Sequence, residues 1–159
     1  MSPGMAATAA PGLSDPQAAE AALVRRFWSL YQARRWSEAQ ALLHPDAECY
    51  WWATAERFQG AAAIVHVNAV YPEGWSLCLL EVNPLGSGRV HTLLRVDHGE
   101  QAFYANSFFQ ITAGLIQRLD EYWSDLAAAP AWRQTGQLPG LTKLAPDQRS
   151  GLSLDLGSS

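Results

Sequence analysis

The stretch from Trp75 to Trp123 narrows the choice of fold more than any other part of the chain. It holds four strand-length segments, Trp75 to Val82, Arg89 to Val96, Gln101 to Ile111 and Leu115 to Trp123, rich in β-branched and aromatic residues. Between them stand Asn83-Pro84-Leu85-Gly86, Asp97-His98-Gly99-Glu100 and Thr112-Ala113-Gly114, all with turn chemistry. Breaks this short join antiparallel neighbours, so the stretch reads as an antiparallel meander.

The residues before it read differently. Ser14-Asp15-Pro16 is a capping residue followed by a first-turn proline. Leu23, Phe27, Leu30 and Tyr31 then recur at helical spacing, with Arg25, Arg26, Arg34 and Arg35 largely off that stripe. A second helix is expected from Ser37 to about Leu43, stopped by His44-Pro45. AECYWW, Ala47 to Trp52, looks extended, and GAAAIVHVNAVYP from Gly60 reads as a third helix ending before Pro72. Helices first and a meander last is the order of an α+β domain. The expected organisation is a flexible tail over 1–14, one domain over 15–133, and a flexible or loosely docked tail over 134–159. Ala131-Trp132-Arg133 is expected to dock on the body, because a lone Trp is costly to leave in water.

Composition excludes several classes. With 48% hydrophobic and 16% charged residues the chain is an ordinary globule. A net charge of −4 without a basic stripe argues against a nucleic-acid partner. No apolar run approaches the roughly 20 residues that span a bilayer, so no membrane partner is expected. The opening MSPGMAATAAPGLS does not read as a signal peptide, which points to a cytoplasmic protein with Cys49 and Cys78 as reduced, buried thiols. His44, His66, His91 and His98 lack metal-ligand spacing, and there is no glycine-rich phosphate loop. Neither a metal nor a cofactor is expected.

Strand alternation sorts the candidate residues by face. From Leu115, one face carries Leu115, Gln117, Leu119, Glu121 and Trp123, the other Ile116, Arg118, Asp120 and Tyr122. The first is more apolar and is expected to face inward, unless a one-residue bulge swaps the assignment. An inward Glu121 among Trp and Leu neighbours has its pKa raised, which suits proton transfer. The alternative is a structural acid paired with Arg57 or Arg89. Asp120 reads as a surface charge and Asp125 as a cap or loop acid. Val90, Thr92, Leu94 and Val96 share the inner face, which leaves His91, Leu93 and Arg95 outside.

Aromatic residues exceed what one core of this size needs. Phe27, Tyr31, Tyr50, Trp51, Trp52, Phe58, Phe103, Phe109 and Trp123, joined by the inward Ser107 and Leu119, are expected to line a pocket for a flat hydrophobic molecule. Tyr71 and Trp75 belong to the same aromatic excess. Leu93, Tyr104 and Phe108 fall on the opposite face and point to a partner surface, a homodimer in the simplest case.

The order of elements, the loop HPDAECYWW, the FQGAAAI entry to the third helix and the closing FFQITAGLIQRLDEYW together resemble the nuclear transport factor 2-like superfamily and its SnoaL-like group. The resemblance covers about residues 15–133. It implies a cystatin-like cone, three N-terminal helices packed on a strongly bent antiparallel sheet, and dimers through the outer sheet surface. It does not fix an activity. The ketosteroid isomerase tyrosine, base and protonated acid would fall on Phe27, Trp51 and near Ser107, two of which cannot do that chemistry. The limonene epoxide hydrolase Arg-x-Asp pair would fall near Val90 and Thr92, leaving only the last-strand acid, at Glu121. SnoaL-like cyclases place their aspartate at Glu121 too, but their Gly-Thr-His stretch is missing. A scytalone dehydratase-like set would need His91, Tyr31 and Tyr50 all inward. The expectation is a pocket protein for a small planar hydrophobic molecule, with cofactor-free acid–base chemistry by Glu121 assisted by Tyr31, Tyr50 or His91. The alternative is a non-catalytic homodimeric binding or assembly module.

Overall fold

The computed structural model describes residues 15–134, 136 and 138–144. The proposed tail over 1–14, and the last part of that over 134–159, lie outside these residues. Helix α1 spans Pro16–Gln32. Its N-cap is Asp15, whose carboxylate accepts from the backbone N–H of Gln17 and Ala18 at 3.1 Å each, with Pro16 needing no partner at the first position. Helix α2 is the six residues Trp36–Ala41. Strand β1 (Leu43–Trp51) and strand β2 (Glu56–Gln59) follow, joined through a single 3-10 turn at Trp52–Thr54. Helix α3, Ala61–Ala69, comes next. Strands β3 (Trp75–Gly86), β4 (Arg89–His98), β5 (Gln101–Thr112) and β6 (Leu115–Asp125) complete the sheet.

Two features correct the expectation. Only α1 and α2 precede the strands; β1 and β2 separate them from α3. The sheet is mixed, with strand order β2-β1-β6-β5-β4-β3, and β1 runs parallel to β6 while every other pair is antiparallel. His44 and Pro45, expected to stop the second helix, lie inside β1. The proline is tolerated because the β1–β6 register breaks between Leu43 and Glu48, and β2 pairs only with Glu48 to Trp51.

The turn after β3 also differs. The strand runs through Asn83-Pro84-Leu85 to Gly86, and the reversal is made by Ser87 and Gly88. The β5–β6 turn falls on Ala113 and Gly114, with φ of +52° and +77°. Two left-handed central residues give the type I′ geometry whose twist matches a hairpin.

The inner face of the sheet packs on α1 and α3. Val24, Phe27 and Leu30 of α1 and Ile64 and Val65 of α3 meet Leu79, Val90, Leu94, Ala105, Phe109 and Leu119 in one buried cluster. Phe27 makes an edge-on contact with Phe109 at 5.7 Å and packs on Tyr31 at 4.4 Å. Trp28 donates its indole N–H to Thr92 Oγ1 at 3.0 Å, so the helix is tied to β4 by one buried polar bond. Trp132, expected to dock, is 65% exposed with the Arg133 guanidinium 5.2 Å from its ring. The neighbouring cation covers part of a ring that the body does not.

Candidate functional site

A cavity of about 360 Å³ opens between α1, α3 and the inner face of the sheet. Its deep wall is Trp28, Tyr31, Trp75, Leu94 and Val96, all buried. Trp51, Phe103 and Trp123 form one side, with Trp123 5.0 Å from Phe103 and 5.7 Å from Trp51 between ring centres. Ala53, Thr54, Glu56, Tyr71 and Asp125, all exposed, form the mouth. Val67, Asn68 and Leu77 complete the lining.

Two of the wall residues are held from behind. Trp75 is covered on one ring face by Arg34, whose guanidinium carbon lies 3.3 Å from the ring centre and which also pairs with Glu73. The Arg34 hydrogen bonds hold the exposed Glu73 carboxyl below its ordinary value. Asn68 donates to Ile64 O at 2.9 Å and to Tyr31 Oη at 3.5 Å. The indole N–H groups of Trp75 and Trp123 are buried and have no acceptor among the described residues.

Glu121 sits behind the wall, 4% exposed, where three strands converge. Trp51 Nε1 and Cys49 Sγ of β1 each donate to its Oε1 at 3.2 Å, and Ser107 Oγ of β5 donates to Oε2 at 2.7 Å. Burial pushes its carboxyl pKa up, and the three donors, Ser107 first, pull against that rise. Among the described residues no arginine pairs with it; Asp120, one residue earlier and on the other face, takes Arg118 at 2.8 Å and is held below its ordinary value by that bond. Burial, with Glu121 second, pushes the Cys49 thiol up, and burial, Glu121 and Cys49 push the Tyr31 phenol well up, so both stay protonated at neutral pH. Cys78 is only half-buried, on β3.

The expected pocket residues therefore divide three ways. Tyr31, Trp51, Phe103 and Trp123 line the cavity. Phe27, Ser107, Phe109 and Leu119 are buried in the packing behind it, and Phe58 packs on Trp51 at 4.6 Å. Tyr50 and Trp52 do not face the cavity. They stack on each other at 5.1 Å, Arg118 lies 4.2 Å over the Tyr50 ring, Tyr50 bonds Glu48, and Trp52 donates to Asp120 at 2.9 Å. Alternation along β1 puts Trp51 inward and Tyr50 outward, and the 3-10 turn carries Trp52 to the same outer side.

His91 also faces away from the cavity. It sits opposite Phe108 on the outer surface, where its Nε2 meets Asn106 Oδ1 at 2.9 Å and its Nδ1 meets Asn83 Nδ2 at 3.2 Å. Leu93, Tyr104 and Phe108 share that half-buried surface. Among the described residues, no group of three or more His, Cys, Asp or Glu is placed to hold a metal ion. Trp28, Val67 and Asn68 are lining residues that sequence reasoning missed. Trp28 lies three residues before Tyr31, the spacing of a shared helix face, and that spacing was the available signal.

The helices set into a curved, mixed six-stranded sheet around such a cavity are the nuclear transport factor 2-like cone, and the solved structures that match are of this kind. One is a proposed ketosteroid isomerase from Kribbella flavida DSM 17836, with a TM-score of 0.72 and 23% identity over 85% of this chain and 96% of that one. Another is an epoxide hydrolase of M. tuberculosis resembling LEH, at 0.57 and 16% identity over 67% and 84%. A third is a proposed SnoaL-like polyketide cyclase from Shewanella putrefaciens CN-32, at 0.58 and 9% identity over 70% and 92%. Identities this low establish the fold and leave the activity to the site. No protein-family profile and no curated protein matches the chain.

Proposed function

We propose that the protein binds a small, flat, hydrophobic molecule in the cone, between the Trp51, Phe103 and Trp123 rings and the Trp28–Tyr31 wall. The observation that carries this reading is the cavity itself, about 360 Å³ and walled by aromatic rings. That size and lining are those of small-molecule sites. The match to cones described as an isomerase, an epoxide hydrolase and a cyclase supports the same use of the fold.

Within this reading Tyr31 is the polar contact in the deep wall. Its hydroxyl accepts from Asn68 and keeps a proton to donate to a ligand oxygen. Glu121 is a positioning residue that fixes the Trp51 ring through the indole N–H. Isomerase- or cyclase-type proton transfer by Glu121 requires the Trp51 bond to open first, because the carboxyl group is held by three donors and lies outside the cavity lining. His91 belongs to the outer surface, where it and Leu93, Tyr104 and Phe108 fit a second copy of the chain.

Tryptophan fluorescence tests the reading directly, since four indoles line the cavity. Titration with planar aromatic and polyketide-like compounds is expected to give saturable quenching with affinity on the order of micromolar. Trp123→Ala and Tyr31→Phe should weaken it, and Glu121→Gln should weaken it less. A folded protein that responds to no compound in the panel would leave the assembly module as the better reading.

A further inference from the structure

The charge at the mouth of the cavity has one sign. Glu56, which opens β2, and Asp125, which closes β6, both line it. No lysine, arginine or histidine does so among the described residues. Below the two carboxylates the walls are aromatic rings, and an aromatic face attracts a cation through its quadrupole. Trp75 already holds the Arg34 guanidinium in this way on its other side. Asn68 points in the same direction. Its amide nitrogen is spent on Ile64 and Tyr31, so its carbonyl oxygen is the part left to meet a ligand.

The wall also carries an unmet polar group. Trp75 is buried in the wall with an indole N–H that no described residue accepts. Native interiors rarely leave such a donor unpaired. The indole nitrogen has almost no accessible surface, so an occupant would meet the Trp75 ring and not this N–H.

We infer that the ligand is a hydrophobic amine, carrying a flat apolar body in the cone and an ammonium group at the mouth between Glu56 and Asp125. This rests on the reading of the cavity as a small-molecule site. At about 360 Å³ the space is too large for a lone ammonium head and suits a whole small molecule. Like charge at the mouth disfavours carboxylate or phosphate ligands of the same shape, and the chain's net charge of −4 adds to that bias.

A matched trio separates charge from shape: 2-naphthylmethylamine, 2-naphthylmethanol and 2-naphthoate, titrated by calorimetry at low salt. The amine should bind about tenfold tighter than the alcohol, a difference of about 1.4 kcal/mol, and the carboxylate most weakly. In the Glu56→Gln, Asp125→Asn double variant the amine should lose its preference and bind no tighter than the alcohol does to the same variant. Both positions are exposed, so the variant is expected to fold as the parent does. Equal binding of amine and alcohol to the parent would overturn the inference and leave the pocket reading intact. An amine preference that survives in the double variant would also overturn it, because these carboxylates would not be its source. If none of the three binds to the folded protein, both readings fall.

Discussion

Ser107, Glu121 and Cys49 form a polar knot inside an apolar wall, and its energetics depend on protonation. A carboxyl whose native pKa lies above its unfolded value binds an extra proton in the folded state over the interval between the two. The stability it contributes is therefore complete below the ordinary value of 4.5 and is lost as pH rises through the native value. Glutamine resembles the protonated acid: its oxygen accepts from Cys49 and Trp51, and its nitrogen donates to Ser107. Glu121→Gln should thus gain stability relative to wild type as pH climbs from about 4, with the difference levelling off above the native pKa. Urea denaturation across that range checks it, and a difference that shrinks with rising pH would show that the three donors outweigh burial. Ser107→Ala removes the 2.7 Å donor and should cost about 1–3 kcal/mol, the range for leaving a buried polar group without its partner. Because both side chains belong to one network, the loss from Ser107→Ala should be smaller in the Glu121→Gln background.

At the scale of elements, β6 shows what alternation does and does not give. Leu119, Glu121 and Trp123 fall on the inner face as the period of two requires. Ile116, assigned outward with Arg118, is fully buried. The register explains the switch: Ile116 opposes Ile111, Arg118 opposes Gln110, and Gln117 is the extra residue of a bulge. A bulge has no strong signature in a strand this mixed, so the faces near Leu115 were not legible. Strand β2 was missed for a related reason. Glu56-Arg57-Phe58-Gln59 is four residues, mostly polar, and gains its strand form from pairing at the sheet edge. The parallel pairing of β1 with β6 is a long-range choice that no local pattern carries. Gly88 has a clearer cause. At φ +77°, with a Cβ there falling inside contact distance of the Ile111 carbonyl oxygen and 2.8 Å from Gln110 Nε2, the β3–β4 turn lies close against β5. Gly88→Ala should cost about 1–3 kcal/mol. Thermal melting checks this, with Gly99→Ala, where nothing crowds the added carbon, as the milder control.

For the molecule as a whole, the sequence marked the aromatic wealth and the two faces of the meander, but not which rings meet at one cavity. Tyr50, Trp51 and Trp52 are adjacent and equally apolar to the eye; only the strand phase and the 3-10 turn decide that one lines the cone and two do not. The outer surface is where a whole-molecule property is at stake. Its rows are set by the register: His91, Phe108 and Asp120 in one, Leu93, Asn106 and Tyr122 in the next, and Arg95 with Tyr104 beyond. Much of the polarity there is satisfied within the sheet, by Arg95 with Asp97, Arg118 with Asp120, and His91 with Asn106. A surface that has neutralised its charges in this way loses little on being covered, and Tyr122, 48% exposed, stands out from it as an anchor. We expect a homodimer across this face, with sedimentation equilibrium giving twice the chain mass at roughly tens of micromolar. Tyr122→Arg replaces the exposed ring with a cation in the middle of this face, and two-fold symmetry faces that charge with its copy. The variant should sediment as a monomer while its near-UV dichroism and its cavity binding stay those of wild type, because Tyr122 lies across the sheet from the cone. A wild-type protein that is monomeric throughout the range would remove the dimer, and would leave the pairing of charges on this face as a matter of sheet stability alone.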